Sequence, residues 1–190
     1  MIGVRQKLIA LGESAREDRW RLLSDLAKVT ALKHSPSRGF FAGHWWRGPL
    51  LYTLVQASRP RHVLEFGTGR GLGATAMAQA AADGGWECTV WTIDQISTDQ
   101  RQSWALDLGQ GPVIRHLSLD EVWSAYLPPA VRRSIKCLTG RSDQVMRSWT
   151  ARKLPPVDFC FIDGGHDYWT VKHDFLAALR VAQPHCQFLF

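Results

Sequence analysis

The stretch Val63-Leu-Glu-Phe-Gly-Thr-Gly-Arg-Gly71 (VLEFGTGRG) decides how the rest of the chain is read. His62 to Phe66 has the length and apolar content of a buried strand, and it runs straight into alternating glycines. Such a turn lets the backbone come close to a ligand, as at the mouth of a nucleotide-binding fold. The carboxylate of Glu65 stands at that mouth, where a loop for phosphates would be poorly served by an acid.

On either side of this stretch, strands and helices alternate. After the turn comes an Ala-rich helix from about Gly73 to Ala82, stopped by Asp83-Gly84-Gly85. A second strand, Glu87 to Ile93, ends on Asp94, and the sequence predicts a helix over Thr98 to Leu108. Residues 109 to 133 read as a short extended piece and a helix at Leu119 to Tyr126, closed by Pro128-Pro129. Ser134 to Leu138 is a third strand, Ser142 to Trp149 a helix, and Val157 to Ile162 a fourth strand. Tyr168 to Ala182 is helical, with Val171, Phe175, Leu176 and Leu179 on one face and Lys172, His173 and Asp174 on the other. Gln187 to Phe190 opens a fifth strand.

Upstream, residues 2 to 32 show helical spacing. Lys33 to Pro49 reads as a loop rich in Gly, Pro and aromatics, and Leu50 to Ala57 as a short helix. We therefore expect an N-terminal helical and aromatic cap over residues 1–46 and one α/β domain over 47–190. Its strand and helix alternation calls for a Rossmann-like parallel sheet with helices on both faces. In such sheets ligands bind beyond the carboxyl ends of the strands. Glu65, the glycine turn, Asp94, Gly140-Arg-Ser142 and Asp163 all fall at those ends.

The 190 residues suffice for one sizeable core, and 45% hydrophobic with 21% charged residues is ordinary for a globular protein. No apolar run approaches the roughly 20 residues of a membrane span, and early charges break up any signal sequence. A cytoplasmic location is the expectation. Cys88, Cys137, Cys160 and Cys186 share no metal-ligand spacing and read as buried, reduced thiols. The net charge of +6 is scattered along the chain, so it does not by itself call for nucleic acid.

Two templates fit the glycine turn. Gly69-Arg-Gly-Leu-Gly-Ala74 matches the dinucleotide fingerprint, with Asp94 near the offset for a ribose. Glu65-x-Gly67-x-Gly69-x-Gly71 matches an acid placed before three alternating glycines. A pyrophosphate beside Glu65 would be repelled by roughly 1 to 4 kcal/mol at about 4 Å. S-adenosylmethionine carries no phosphate and presents an ammonium and a sulfonium, which an acid attracts.

With Asp94 after the second strand and FIDGGHDY after the fourth, the chain resembles class I S-adenosylmethionine-dependent methyltransferases. It is most similar to the small-molecule and sugar O-methyltransferases of the catechol, caffeoyl-CoA and antibiotic-tailoring type, over about residues 47 to 190. The resemblance implies that Glu65, Gly67, Thr68, Gly69 and Gly71 line the methionine half of the cofactor. It further implies that Asp94 accepts from the two ribose hydroxyls, and that Gln95, Ser142 and Asp143 lie near the adenine. For Asp94 the plain alternative is a strand-end turn residue or a helix cap, and for Ser142 or Asp143 a helix cap.

Methyl transfer to a hydroxyl needs an aligned acceptor and a base for its proton. Asp163 and His166, in Phe159-Cys-Phe-Ile-Asp-Gly-Gly-His166, are the candidate catalytic pair. An imidazole, with an ordinary pKa of about 6.5, suits the base. The alternative for His166 is a loop residue that orients Asp163.

In metal-dependent relatives an acid at the Asp163 position binds a divalent cation such as Mg, and a lysine usually stands where His166 stands. Their other protein ligands follow the fifth strand, beyond Phe190. The resemblance leaves the last two strands of the family unaccounted for, and puts Pro184-His185-Cys186 where a glycine pair is usual. The fifth strand would then be an exposed edge, open to a homodimer. Phe40 to Trp46 is expected over the cofactor or acceptor, or packed between the N-terminal helices and the sheet.

The leading expectation is methyl transfer to a hydroxyl of a small molecule or glycan. An NAD(P)-dependent oxidoreductase, which Glu65 argues against, and a non-catalytic cofactor-binding module are the alternatives. A nucleic-acid methyltransferase is disfavoured, since Asp163-Gly-Gly-His166 replaces the Asn/Asp-Pro-Pro-aromatic motif of amino-methylating relatives.

Overall fold

The structure, a computed structural model, describes residues 17 to 190, with side chains from Ser24 onward. The expected N-terminal helix therefore lies partly outside the described residues, and α1 covers Glu17–Thr30. The expected loop at Lys33 to Pro49 is replaced by a hairpin, β1 (Leu32–Ser35) with β2 (Gly39–Ala42), and by the start of α2 (Arg47–Ser58). Gly39, at φ +65°, makes the reversal that sequence periodicity does not show. Pro49 needs no N–H donor in the first turn of a helix, so it does not stop α2.

β3 (His62–Phe66) and β8 (Val157–Ile162) lie where the apolar runs place them. Between them come α3 (Leu72–Gly84), β4 (Thr89–Asp94), β5 (Gln102–Asp107), β6 (Pro112–Leu117), α4 (Leu119–Tyr126), α5 (Pro129–Ser134), β7 (Ile135–Thr139) and α6 (Ser142–Arg147). α7 (Tyr168–Leu179) and β9 (Ala182–Leu189) follow β8. The central sheet has five parallel strands in the order β7-β4-β3-β8-β9.

Alternate residues of each strand feed two cores. Val63, Phe159 and Phe161 pack on one face with Met77 of α3, Trp104 and Trp123. Leu64, Phe66, Cys160 and Ile162 pack on the other with Trp149 and Ala178. In α3, Ala74, Ala76, Ala78, Ala80 and Ala81 are all buried, and their small side chains let the helix lie close to its neighbours. All four cysteines are free thiols, Cys88 and Cys160 buried and Cys137 and Cys186 partly so.

Two further expectations fail. The helix expected at Thr98 to Leu108 is instead β5, paired antiparallel with β6 from Gln102↔Leu117 to Asp107↔Pro112. Asp107 Oδ1 accepts from the N–H groups of Gly109 and Gly111, both at positive φ, and so closes a turn that no helix could pass through. The fifth strand starts at Ala182 rather than Gln187. Its register against β8 shifts between Val157↔Ala182 and Phe159↔Gln187, so Pro184-His185-Cys186 form an irregularity inside an edge strand, where proline is tolerated. Among the described residues no helix is long and apolar enough to cross a membrane.

Candidate functional site

A cleft of about 670 Å³ opens at the carboxyl ends of β3, β4, β7 and β8. Its floor includes Glu65, Gly67, Thr68, Gly69, Asp94, Gln95, Ser142, Asp163 and His166. Lys33 of β1, His44 from the segment before α2, and Arg47 of α2 also line the cleft. The parallel register explains the convergence, because Glu65 pairs with Thr92 of β4 and Phe161 of β8. The strand ends therefore arrive together.

Glu65 is 1% exposed. Its Oε2 accepts from the Thr92 hydroxyl at 2.6 Å, and the Thr68 and Thr92 hydroxyls are 2.7 Å apart. Since Thr92 donates to Glu65, Thr68 is the donor to Thr92. No basic side chain pairs with Glu65 among the described residues. Burial pushes its carboxyl up from 4.5 to about 8; the Thr92 hydroxyl draws it back, the Asp163 and Asp94 charges add to the rise, and the Ala74 N–H opposes it. Glu65, near the end of β3, is thus a proton-holding group beside an open cleft.

The glycines make this placement possible for distinct reasons. A Cβ on Gly73 would lie 2.0 Å from Glu65 Oε1, so this glycine leaves room for the carboxyl. Gly67, at φ +89°, would put a Cβ 2.5 Å from the Asp163 carbonyl oxygen, which marks the close passage of β3 beside the β8 loop. Gly71 does not line the cleft. A Cβ there would meet Trp123 at 2.4 Å, so its role is to seat the turn on the core.

Asp94 accepts from two backbone N–H groups, Gly69 to Oδ2 at 2.8 Å and Ile96 to Oδ1 at 3.0 Å. The first bond ties the end of β4 to the glycine turn and leaves lone pairs for further donors. Arg70 turns away from the turn to donate to the carbonyls of Leu32, Ala105 and Ser103, with its guanidinium 5.0 Å from the Trp104 ring centre. It holds the two hairpins against the loop.

On the β8 side, Asp163 forms an ion pair with Arg47 through Oδ2 and Nη1, and both side chains are about a quarter exposed, 25% and 28%. His166 also lines the cleft and is exposed. Asp174, expected on the polar face of its helix, is only 3% exposed and lines the cleft. Burial pushes its carboxyl up, and the Ser142 hydroxyl draws it back. Asp143 lies instead beside an adjoining hollow of about 220 Å³, where Arg141 and Arg147 pair with it at 3.1 and 2.9 Å. These ion pairs hold its carboxyl below the usual range.

Sequence reasoning missed Arg47, Thr92, Lys33 and Asp174. For Thr92 there was a signal, since a hydroxyl two residues before Asp94 in an apolar strand needs a buried partner. For Arg47 there was none, as it lies 116 residues from Asp163. Asp163 does not fit a metal ligand well, because Arg47 already occupies its carboxylate. Among the described residues no group of three or more His, Cys, Asp or Glu side chains could hold an ion.

A family model described as a methyltransferase domain matches residues 64–190. Comparison with curated proteins found no match. Among solved structures, the chain is similar to the O-methyltransferase from Bacillus cereus in complex with SAH. The identity is 20% and the TM-score 0.53, over 90% of this chain and 63% of that one. It is also similar to the O-methyltransferase TomG from Streptomyces achromogenes, involved in tomaymycin synthesis and in complex with SAM. Here the identity is 19% and the TM-score 0.55, over 86% of this chain and 61% of that one. The chain thus spans less than two thirds of the length of either protein, and what it shares with them is the fold.

Proposed function

The chain belongs to the methyltransferase-domain family, and from that premise we propose that it moves a methyl group from S-adenosylmethionine to a hydroxyl of a small molecule or sugar. The observation that carries this reading is Glu65, a buried acid with no basic partner among the described residues, set under a glycine turn in an open cleft. Such a group is costly to ionise until a cation comes to it. A cationic, phosphate-free ligand meets that condition, and a dinucleotide does not.

In this proposal Glu65 faces the ammonium and sulfonium end, and the backbone of Gly67, Thr68 and Gly69 allows the close approach. Asp94 accepts from the ribose hydroxyls, while Gln95 and Ser142 border the adenine, with Asp143 outside them. S-adenosylmethionine supplies an electrophilic methyl: the acceptor oxygen forms the new O–C bond, and the C–S electron pair leaves on sulfur, giving S-adenosylhomocysteine. His166 takes the acceptor's proton, and Asp163 with Arg47 fixes the wall beside it. Of the expected cap over residues 1–46, residues 1–16 lie outside the described residues, and the β1–β2 hairpin serves as the cap over the 47–190 domain; the place of action is the cytoplasm. β9, hydrogen-bonded on one side only among the described residues, is the edge at which two copies would join.

Calorimetric titration with S-adenosylhomocysteine and with NAD tests the cofactor assignment. Saturable binding of the first alone is expected, and binding of NAD alone would overturn it. With an acceptor drawn from a panel of catechols and sugars, His166→Ala should lower turnover by about 10² to 10⁴-fold. Full turnover in that variant would remove His166 from the reaction.

A further inference from the structure

We propose that Arg47 is the resident cation of the Asp163 site, so that this acid holds a guanidinium where metal-dependent relatives place a divalent ion. The inference rests on reading the cleft as a methyl-transfer site. Its first support is the way the arginine is delivered. Arg47 is the first residue of α2, and its backbone N–H donates to the His44 carbonyl at 3.0 Å. The next residue, Gly48, lies so close to α3 that a Cβ there would meet Leu72 Cδ1 at 3.2 Å. The backbone is therefore fixed on the core, and the side chain reaches Asp163 from a defined base.

The second support is the chemistry of the pair. A guanidinium keeps its charge at any working pH and offers five N–H donors, of which Nη1 meets Asp163 Oδ2. A hard divalent ion prefers several oxygen ligands. At Asp163 it would have to displace a fixed positive charge or sit against it. Arg47 lines the cleft, and donors not spent on Asp163 would hold an acceptor oxygen as it loses its proton. Arg47 forms and breaks no covalent bond in this role. The acceptor's proton goes to the base, and the methyl passes from sulfur to oxygen.

The test uses the full chain saturated with S-adenosylhomocysteine, with Mn²⁺ titrated in and followed by its paramagnetic resonance signal. No saturable site at Asp163 is expected up to about 1 mM Mn²⁺, the weak end of protein sites for hard cations. One saturable site that Asp163→Asn abolishes would overturn the proposal. A site that survives Asp163→Asn lies elsewhere and agrees with it. In parallel, the melting temperatures of Arg47→Met, Asp163→Asn and the double variant should depart from additivity by about 2 to 4 °C. Additive shifts would show that the pair does not form in solution, and would equally overturn the proposal. Failure of the parent to bind S-adenosylhomocysteine, with the coupling intact, counts against the methyl-transfer reading and not against the ion pair.

Discussion

Glu65 and Asp163 leave neighbouring parallel strands and enter the same cleft, yet their surroundings are opposite. Glu65 is buried, meets a hydroxyl, and has no cation beside it among the described residues. Asp163 is a quarter exposed and has Arg47 as its counter-charge. Two acids of similar chemistry thus present one unmet demand for positive charge and one that the protein meets itself. Under the proposed function, the side with the unmet demand is where the cationic ligand would gain most, and the other side would be left to the acceptor and its proton.

The largest expected effect comes from the unmet side. In the unfolded chain Glu65 loses its proton near 4.5, and in the folded chain near 8, so between these values the folded state holds the extra proton. Ligand-free stability should therefore fall as pH rises from 4.5 to 8. The ceiling of the effect, at about 1.4 kcal/mol per pH unit, is on the order of 5 kcal/mol. Glu65→Gln should flatten this slope and be the more stable form at pH 8 in thermal melts. A parent and variant with the same pH profile would show that Glu65 is solvated rather than buried.

Next in size is the backbone that joins the two sides. Gly67→Ala should destabilise by about 2 to 4 kcal/mol, combining an unfavourable positive φ with a Cβ driven into the Asp163 carbonyl. Denaturant unfolding measures it, and a cost below about 0.5 kcal/mol would mean that the two loops are not in contact. At the outer end the expectation is small. Asp143→Asn should change S-adenosylhomocysteine affinity by less than about threefold, since the Asp143 charge is already spent on exposed arginines. A tenfold loss would move Asp143 into the binding site.

The unmet side was also the more legible in the sequence. β3 and β8 are short apolar runs bounded by turn residues, and both ends lie where the runs end. Glu65 stood out because an acid at a glycine turn conflicts with phosphate binding, a conflict visible in nine residues. The met side was hidden because its partner is remote: nothing near Arg47 indicates that it meets an acid at the end of β8. Asp174 was misplaced for a related reason. Helical spacing puts it beside Lys172 and His173, and only the loop folded over its helix shows that it is buried. The β5–β6 hairpin was lost to local periodicity, because Trp104 and Leu106 are held by a core and a partner strand that a short window does not contain.

The most direct test of the contrast is titration of S-adenosylmethionine near pH 7 in buffers of different ionisation enthalpy, for the parent and for Glu65→Gln. If the buried acid gives up its proton to meet the cation, the parent should release close to one proton per ligand. Glu65→Gln should release none and bind about 10- to 100-fold more weakly, the range for losing a charged hydrogen-bond partner. Equal affinity and equal proton release in the two proteins would contradict the assignment of Glu65 as the group that selects a cationic ligand.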